Sequence, residues 1–86
     1  MLYRIITEDK NRESIIEIIK EHFDGFTLIP AIGYWQGTKE NSLIIEIDES
    51  EFMPEYRIAV IAKQIKLLNK QQAVMVQQID VKSELI

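Results

Sequence analysis

The sequence predicts a small α+β domain in which strands and helices follow in the order β, α, β, β, α, β. In residues 26–48, two apolar runs flank a polar stretch that contains a glycine, which is the pattern of a β-hairpin with a longer loop. In two other segments, residues 15–23 and 58–68, apolar side chains recur at helical spacing. A chain of 86 residues has room for one hydrophobic core, so we expect residues 1–86 to form a single domain.

The amino-acid composition indicates which kinds of partner and which cellular compartment we expect for this protein. Ten Lys and Arg against 14 Asp and Glu give a net charge of −4, so we expect no nucleic-acid partner. The absence of cysteine excludes disulfides, thiolate metal sites and thiol nucleophiles. The sequence has neither an apolar run long enough to span a bilayer nor a basic start that leads into an apolar stretch. We therefore expect a cytoplasmic protein that does not bind membranes.

The first two elements are a strand over residues 1–7 and a helix that starts at Asn11. The Asn11 side chain can accept a hydrogen bond from the free amides of the first turn, and Glu13 is favourable at that end of the helix dipole. Asp24 and Gly25 are expected to end the helix, because glycine adopts the left-handed conformation at little cost. The apolar face consists of Ile15, Ile16, Ile19 and Phe23, with Ile18 and His22 beside them.

The hairpin is predicted to pair strand 2, residues 26–35, with strand 3, residues 42–48, through a loop over residues 36–41. Pro30 cannot donate a hydrogen bond to a neighbouring strand, so strand 2 should lie at a sheet edge or contain a bulge. Strand 3 has one wholly apolar face, formed by Leu43, Ile45 and Ile47, which indicates a central strand.

The second helix is predicted to span residues 54–69. Pro54 suits the first helical position, where its missing amide costs nothing. The predicted core face of this helix consists of Ile58, Ile61, Ala62, Ile65 and Leu68. A last strand over residues 73–79 follows, and the tail of residues 80–86 either extends it or docks on a neighbour.

This element order favours the ferredoxin-like βαββαβ fold, an antiparallel four-stranded sheet with strand order 4-1-3-2 and two helices on one face. Strand 2 then lies at an edge, as Pro30 requires. The face opposite the helices would include Arg4, Ile44, Glu46 and residues of strand 2 such as Thr27, Ile29 and Trp35. For a short chain, burial of this face in a homo-oligomer is favoured over a partly wet monomer.

Other aromatic and apolar residues are candidates for interface positions. Tyr34 and Trp35 are adjacent in a strand, so they point to opposite faces, and we expect one in the core and the other exposed or at an interface. Tyr56, Val60 and Leu67 fall together on the side of helix 2 away from its core face. That side is expected to be a secondary contact of the oligomer, the alternative being cover by Arg57, Lys63 or the C-terminal tail.

A set of hairpin residues matches a known family, and it consists of Ile29, Pro30, Ala31, Ile32, Tyr34, Trp35, Gly37, Glu40 and the run of residues 42–47. In these residues the hairpin resembles that of the PII-like signalling proteins, and especially the CutA divalent-cation tolerance family. The resemblance implies a ferredoxin-like fold and trimers whose strands pair across subunits. The chain lacks the family's Cys before the hairpin, its helix 2 signature and the nucleotide-binding loop of true PII proteins. Residues 23–27, with Gly33, Trp35 and Gly37, are also similar to a small bacterial family of unknown function.

Few residues of the sequence are candidates for catalysis or metal binding. His22 is the only histidine, which excludes a His-rich metal site, and its place beside the apolar face of helix 1 favours a packing or capping role. An acidic cluster consists of Glu46, Asp48, Glu49 and Glu51. It lacks the spacing and turn glycine of a calcium loop, so it is expected to be solvated. We predict no metal, no cofactor and no catalytic residue.

Two functions remain. The favoured one is a non-enzymatic binding or regulatory module of PII-like type that forms a homodimer or homotrimer and has room for a small-molecule ligand. The alternative is a small enzyme or ligand carrier of the dimeric α+β barrel kind. Its pocket would lie between helices and sheet, with polar groups from Tyr3, Arg4, Tyr34 or His22.

Overall fold

The computed structural model describes residues 1–49 and 54–86. Its elements, in chain order, are β1 Leu2–Glu8, α1 Arg12–Lys20, β2 Thr27–Trp35, β3 Thr38–Asp48, α2 Pro54–Asn69 and β4 Met75–Ile79. All strand pairs are antiparallel, and the sheet has the order β2-β3-β1-β4. This is the predicted order counted from the other edge, so the ferredoxin-like α+β fold and the edge position of β2 are confirmed. Of the described helices, neither is long and apolar enough to cross a membrane.

One face of the sheet forms the hydrophobic core with both helices. Tyr3 pairs with Ile47, and Ile5 pairs with Ile45, so side chains of the two central strands alternate inward together. The core cluster consists of Tyr3, Ile5, Ile15, Ile19, Phe23, Leu43, Ile45, Ile47, Ile58, Ile61 and Ile65. Nearly all of it is aliphatic, which suits close packing between a sheet and two helices.

The first helix is shorter than predicted. It ends at Lys20, and the amides of His22 and Phe23 both donate to the Ile19 carbonyl in a tight closing turn. Asn11 is the N-cap residue, as predicted, but the predicted side-chain cap is wrong, because Asn11 adopts the left-handed conformation (φ 54°) and its side chain makes no capping hydrogen bond. Its side chain instead donates to Asn69 Oδ1 at 3.0 Å, which links the start of α1 to the end of α2.

The end of α2 is polar where the sequence suggested an apolar contact. Leu68, predicted on the core face, is exposed, and the next residue, Asn69, is buried. Asn69 Nδ2 donates to the Glu8 carbonyl at 3.4 Å and to Gln71 Oε1 at 3.1 Å. These hydrogen bonds hold the loop after α2 against the end of β1. β4 begins at Met75, two residues later than expected.

The hairpin between β2 and β3 is longer and tighter than predicted. Gln36 and Gly37 alone connect the strands, with φ of 51° and 79°, so the expected loop over residues 36–41 is wrong. Positive φ at both central residues is the conformation of a type I′ turn, whose twist matches that of the paired strands. β3 therefore begins at Thr38, opposite Trp35, and the molecule extends to 39 Å in its long direction.

Truncation of Ile61 to Ala should lower the free energy of unfolding by about 2–5 kcal/mol, because Ile61 is fully buried and a cavity would remain. Leu67→Ala on the same helix is the matched control. Leu67 is 78% exposed, so its truncation should change stability by less than about 0.5 kcal/mol. Urea unfolding followed by circular dichroism measures both, and equal midpoints would contradict the packing of α2 described above.

Candidate functional site

Among the described residues, no helix or strand packs on the sheet face opposite the helices, here called the open face. A row of four apolar side chains crosses all strands of this face. Its members, here called the apolar row, are Ile29 of β2, Ile44 of β3, Ile6 of β1 and Met75 of β4. Ile29 and Met75 are exposed and the two central isoleucines are half-buried. Such a continuous apolar surface on a sheet is typical of a face that another molecule buries.

An ion pair lies beside the apolar row on the same face. Arg4 Nη2 is 2.7 Å from Glu46 Oε2, and Arg4 Nε donates to the same oxygen at 3.0 Å. Both side chains remain about a quarter to a third exposed. The register thus brings Arg4, Ile44 and Glu46 together on the open face. In the ion pair the positive charge of Arg4 balances the negative charge of Glu46.

Tyr34 and Trp35 point to opposite faces, but neither lies in the core. Tyr34 is 72% exposed on the helix side and Trp35 is 47% exposed on the open face. The expectation that one of them is buried is wrong. The hairpin reaches beyond the helices, so the side chains near its turn have no layer to pack against, and the same is true of Ile32.

A recess of about 600 Å³ lies between the hairpin and the segment that precedes β4. On the open face its floor is made of small residues, with Gly33 beside Ser42. A Cβ atom at Gly33 would overlap Ser42 Oγ, so any other residue there would require the Ser42 hydroxyl to move. Trp35, Glu40 and Glu8 also line the recess. Sequence reasoning did not identify this site, although an isolated glycine within a strand is a signal of close approach.

The four polar groups proposed for an enzyme pocket are not brought together. Arg4 is on the open face and Tyr34 is on the exposed hairpin. The His22 carbonyl accepts a hydrogen bond from Arg57 Nη1 at 3.3 Å, near the end of α1. Tyr3 lines a cavity of about 240 Å³ between α2 and β4, whereas Tyr34 lines the recess beside the hairpin.

The Tyr3 hydroxyl already has a partner in that cavity. It donates to Glu55 Oε1 at 3.0 Å, and the ring is almost fully buried. Burial raises the pKa of Tyr3, and the hydrogen bond to Glu55 and the charge of that carboxylate raise it further. A phenol held in its protonated form by a carboxylate acts here as a link between β1 and α2.

The outer side of α2 presents apolar side chains to solvent. Tyr56 and Leu67 are exposed and Val60 is half-buried. The tail of residues 80–86 is exposed along its length, and the Arg57 guanidinium lies 5.7 Å from the centre of the Phe23 ring. Neither the C-terminal tail nor the Arg57 side chain therefore buries Tyr56 and Leu67.

The acidic cluster does not form a metal site in the part of the chain that the structure describes. Glu46 is paired with Arg4 on the open face. Within residues 1–49 and 54–86, no group of three or more His, Cys, Asp or Glu side chains is arranged to hold a metal ion. The fourth member of the predicted cluster, Glu51, lies outside the described residues.

The fold and the open face define a small α+β protein of the ferredoxin-like class. No protein-family profile and no curated protein matches the chain. The structure is similar to the crystal structure of a DUF3240 family protein from Shewanella baltica OS155, with a TM-score of 0.67 and 18% sequence identity. The match covers 99% of this chain and 94% of that one. At this identity the similarity supports the fold.

Replacement of Tyr3 by Phe should make the protein less sensitive to alkaline pH. The raised pKa means that the folded state favours the protonated phenol, so this contribution to stability is complete below about pH 10, the usual tyrosine pKa, and is lost as the pH rises above it. Tyr3→Phe also loses one hydrogen bond, which costs about 1 kcal/mol at neutral pH.

The measurement is the melting temperature between pH 8 and pH 12, with Tyr34→Phe as the control. Tyr34 is exposed, so the melting temperature of Tyr34→Phe should change with pH in the same way as that of the parent. A Tyr3→Phe curve parallel to the parent curve would contradict the role given to Tyr3.

Proposed function

We propose that this protein is a non-catalytic, homo-oligomeric binding or regulatory module of PII-like type that acts in the cytoplasm. The observation that carries the proposal is the apolar row on the open face, on which no described helix or strand packs. The separate positions of Tyr3, Arg4, Tyr34 and His22 favour binding over catalysis, because general acid and base groups must converge on one substrate.

The charge pattern of the open face suits contact with a second copy. In an isologous contact, each surface meets the same surface turned by 180°. Arg4 of one copy can then approach Glu46 of the other, while the apolar rows pack together. Burial of half-exposed isoleucines removes apolar area from water at roughly 25 cal/mol per Å². This arrangement favours a homodimer, and a homotrimer remains the form that the PII-like resemblance implies.

The size of the open face argues for a second contact. Strands lie about 4.8 Å apart and rise about 3.3 Å per residue, so four strands of five residues present only about 300 Å² in projection. A stable interface buries about 800 Å² on each partner. The exposed Trp35 side chain extends the open face towards the turn, and Tyr56 and Leu67 on α2 offer the secondary contact.

Substitution of Ile44 by Glu should dissociate the oligomer, because a carboxylate would be buried at the centre of the apolar row without a partner. Sedimentation velocity at micromolar concentration should give an oligomer for the parent and a 10.1 kDa species for Ile44→Glu. Ile29→Glu at the exposed edge of the row is a second variant, whose folding is less at risk because Ile29 lies on an edge strand.

Val60→Glu on α2 is the matched control for the same change of charge. It should weaken assembly less than Ile44→Glu, since α2 supplies only the secondary contact. A parent that sediments only at 10.1 kDa contradicts the oligomer. Dissociation by Val60→Glu alone would identify α2 as the main interface and contradict the role of the sheet face.

A further inference from the structure

We propose that the recess between the hairpin and the segment preceding β4 binds a small organic ammonium ion. The recess measures about 600 Å³, which is in the range of small-molecule sites. The inference rests on the proposed binding function and adds the chemical class of the ligand. It is carried by one hydroxyl, one carboxylate and one indole that converge on the same side of the hairpin.

The hydroxyl belongs to Ser42, which is only 5% exposed. Ser42 Oγ forms no hydrogen bond with any residue in the described ranges. Yet no fully buried side-chain oxygen or nitrogen among these residues lacks a partner, so the hydroxyl must open into the recess that Ser42 lines. A buried hydroxyl that faces a cavity can offer its lone pairs to a ligand N–H group.

The carboxylate belongs to Glu40, two residues before Ser42 on the same face of β3. Glu40 has no ion pair with a described residue, whereas Glu8, across from Ser42 on β1, is paired with Lys10 at 2.9 Å. Lys70 also lines the recess, but it belongs to the loop after α2, and β1 lies between β3 and β4. Lys70 forms no ion pair with Glu40, so the Glu40 carboxylate is available to a cationic ligand.

The indole belongs to Trp35, next to the turn and on the same face as Gly33. An aromatic ring beside a carboxylate is the arrangement that binds alkylammonium groups, because the ring face attracts the cation and also contacts its methyl groups. The Met75 side chain adds an apolar contact across the recess.

A divalent metal ion fits the recess less well. Of the two carboxylates in the described lining, that of Glu8 is already paired with Lys10, and no group of three or more His, Cys, Asp or Glu side chains among the described residues could hold a metal ion. An organic cation needs only one counter-charge and a surface of apolar atoms. The lining therefore favours the organic ion.

Choline and its neutral isostere 3,3-dimethylbutan-1-ol provide the test, since they have nearly the same shape and differ in charge. Trp35 is the only tryptophan in the chain, so its fluorescence reports on the recess directly. At constant ionic strength, choline should change the emission in a saturable way with a dissociation constant of about 1 mM or below, and the alcohol should not. Ethanolamine, which is protonated at neutral pH, should also bind in a saturable way, because a primary ammonium group can in addition donate a hydrogen bond to Ser42.

The decisive variant is Glu40→Gln, which keeps the size of the side chain and removes its charge. It should weaken choline binding by about tenfold, and Ser42→Ala should weaken ethanolamine binding. Glu17→Gln on α1 removes the same charge from an exposed position away from the recess and should bind choline like the parent. Circular dichroism confirms that each variant is folded.

Three results would overturn the inference: an equal response to choline and the alcohol, equal affinity of Glu40→Gln and Glu17→Gln, or competition by MgCl₂ that sodium chloride of equal ionic strength does not reproduce. The failure of this inference differs from that of the proposed function. A monomeric protein that binds choline contradicts only the oligomer, and an oligomer that binds neither choline nor ethanolamine contradicts only the ammonium site.

Discussion

The pairing register of β1 and β3 is the constraint on which both faces of the sheet depend. Because side chains alternate along a strand, the register that sends Ile5 and Ile45 into the core also places Ile6 beside Ile44 on the open face. A shift by one residue would exchange the two sets and bury the ion pair of Arg4 and Glu46 under the helices. The core therefore fixes the composition of the open face, and the apolar row is a consequence of the same pairing that holds the fold together.

The two-residue turn gives the hairpin a different environment from the rest of the sheet. With Gly37 in the turn, the strands stay paired up to Trp35 and Thr38, beyond the reach of the helices. Side chains there are exposed on both faces, which accounts for the exposure of Ile32 and Tyr34. The same extension creates one wall of the recess, since a loop over residues 36–41 would have ended the paired strands before Glu40. A short turn thus determines the length of the sheet and the existence of the candidate site.

The sequence was sufficient for the strand order and for the two faces of the sheet, and insufficient for contacts made by single polar residues. Pro30 placed β2 at an edge, and the alternation of residues 43–47 placed β3 at the centre, because both signals depend on the backbone of one strand. Asn11 resembled a helix cap, but its partner is Asn69, 58 residues away, and no local pattern reveals that contact. The recess was not predicted for the same reason, because Gly33 and Ser42 come into contact only when the hairpin has formed.

The apolar row and the recess share residues, which links assembly to ligand binding. Ile6 and Met75 belong to the row and also line the recess. A second copy that packs on the row therefore contacts the border of the recess, and a ligand in the recess contacts the border of the interface. Where binding at one of two sites changes the affinity at the other, the effect is reciprocal and has the same factor. If both proposals hold, an ammonium ligand that shifts the equilibrium between monomer and oligomer must bind the two forms with different affinities. Ligand binding in the recess and assembly through the apolar row would then be coupled.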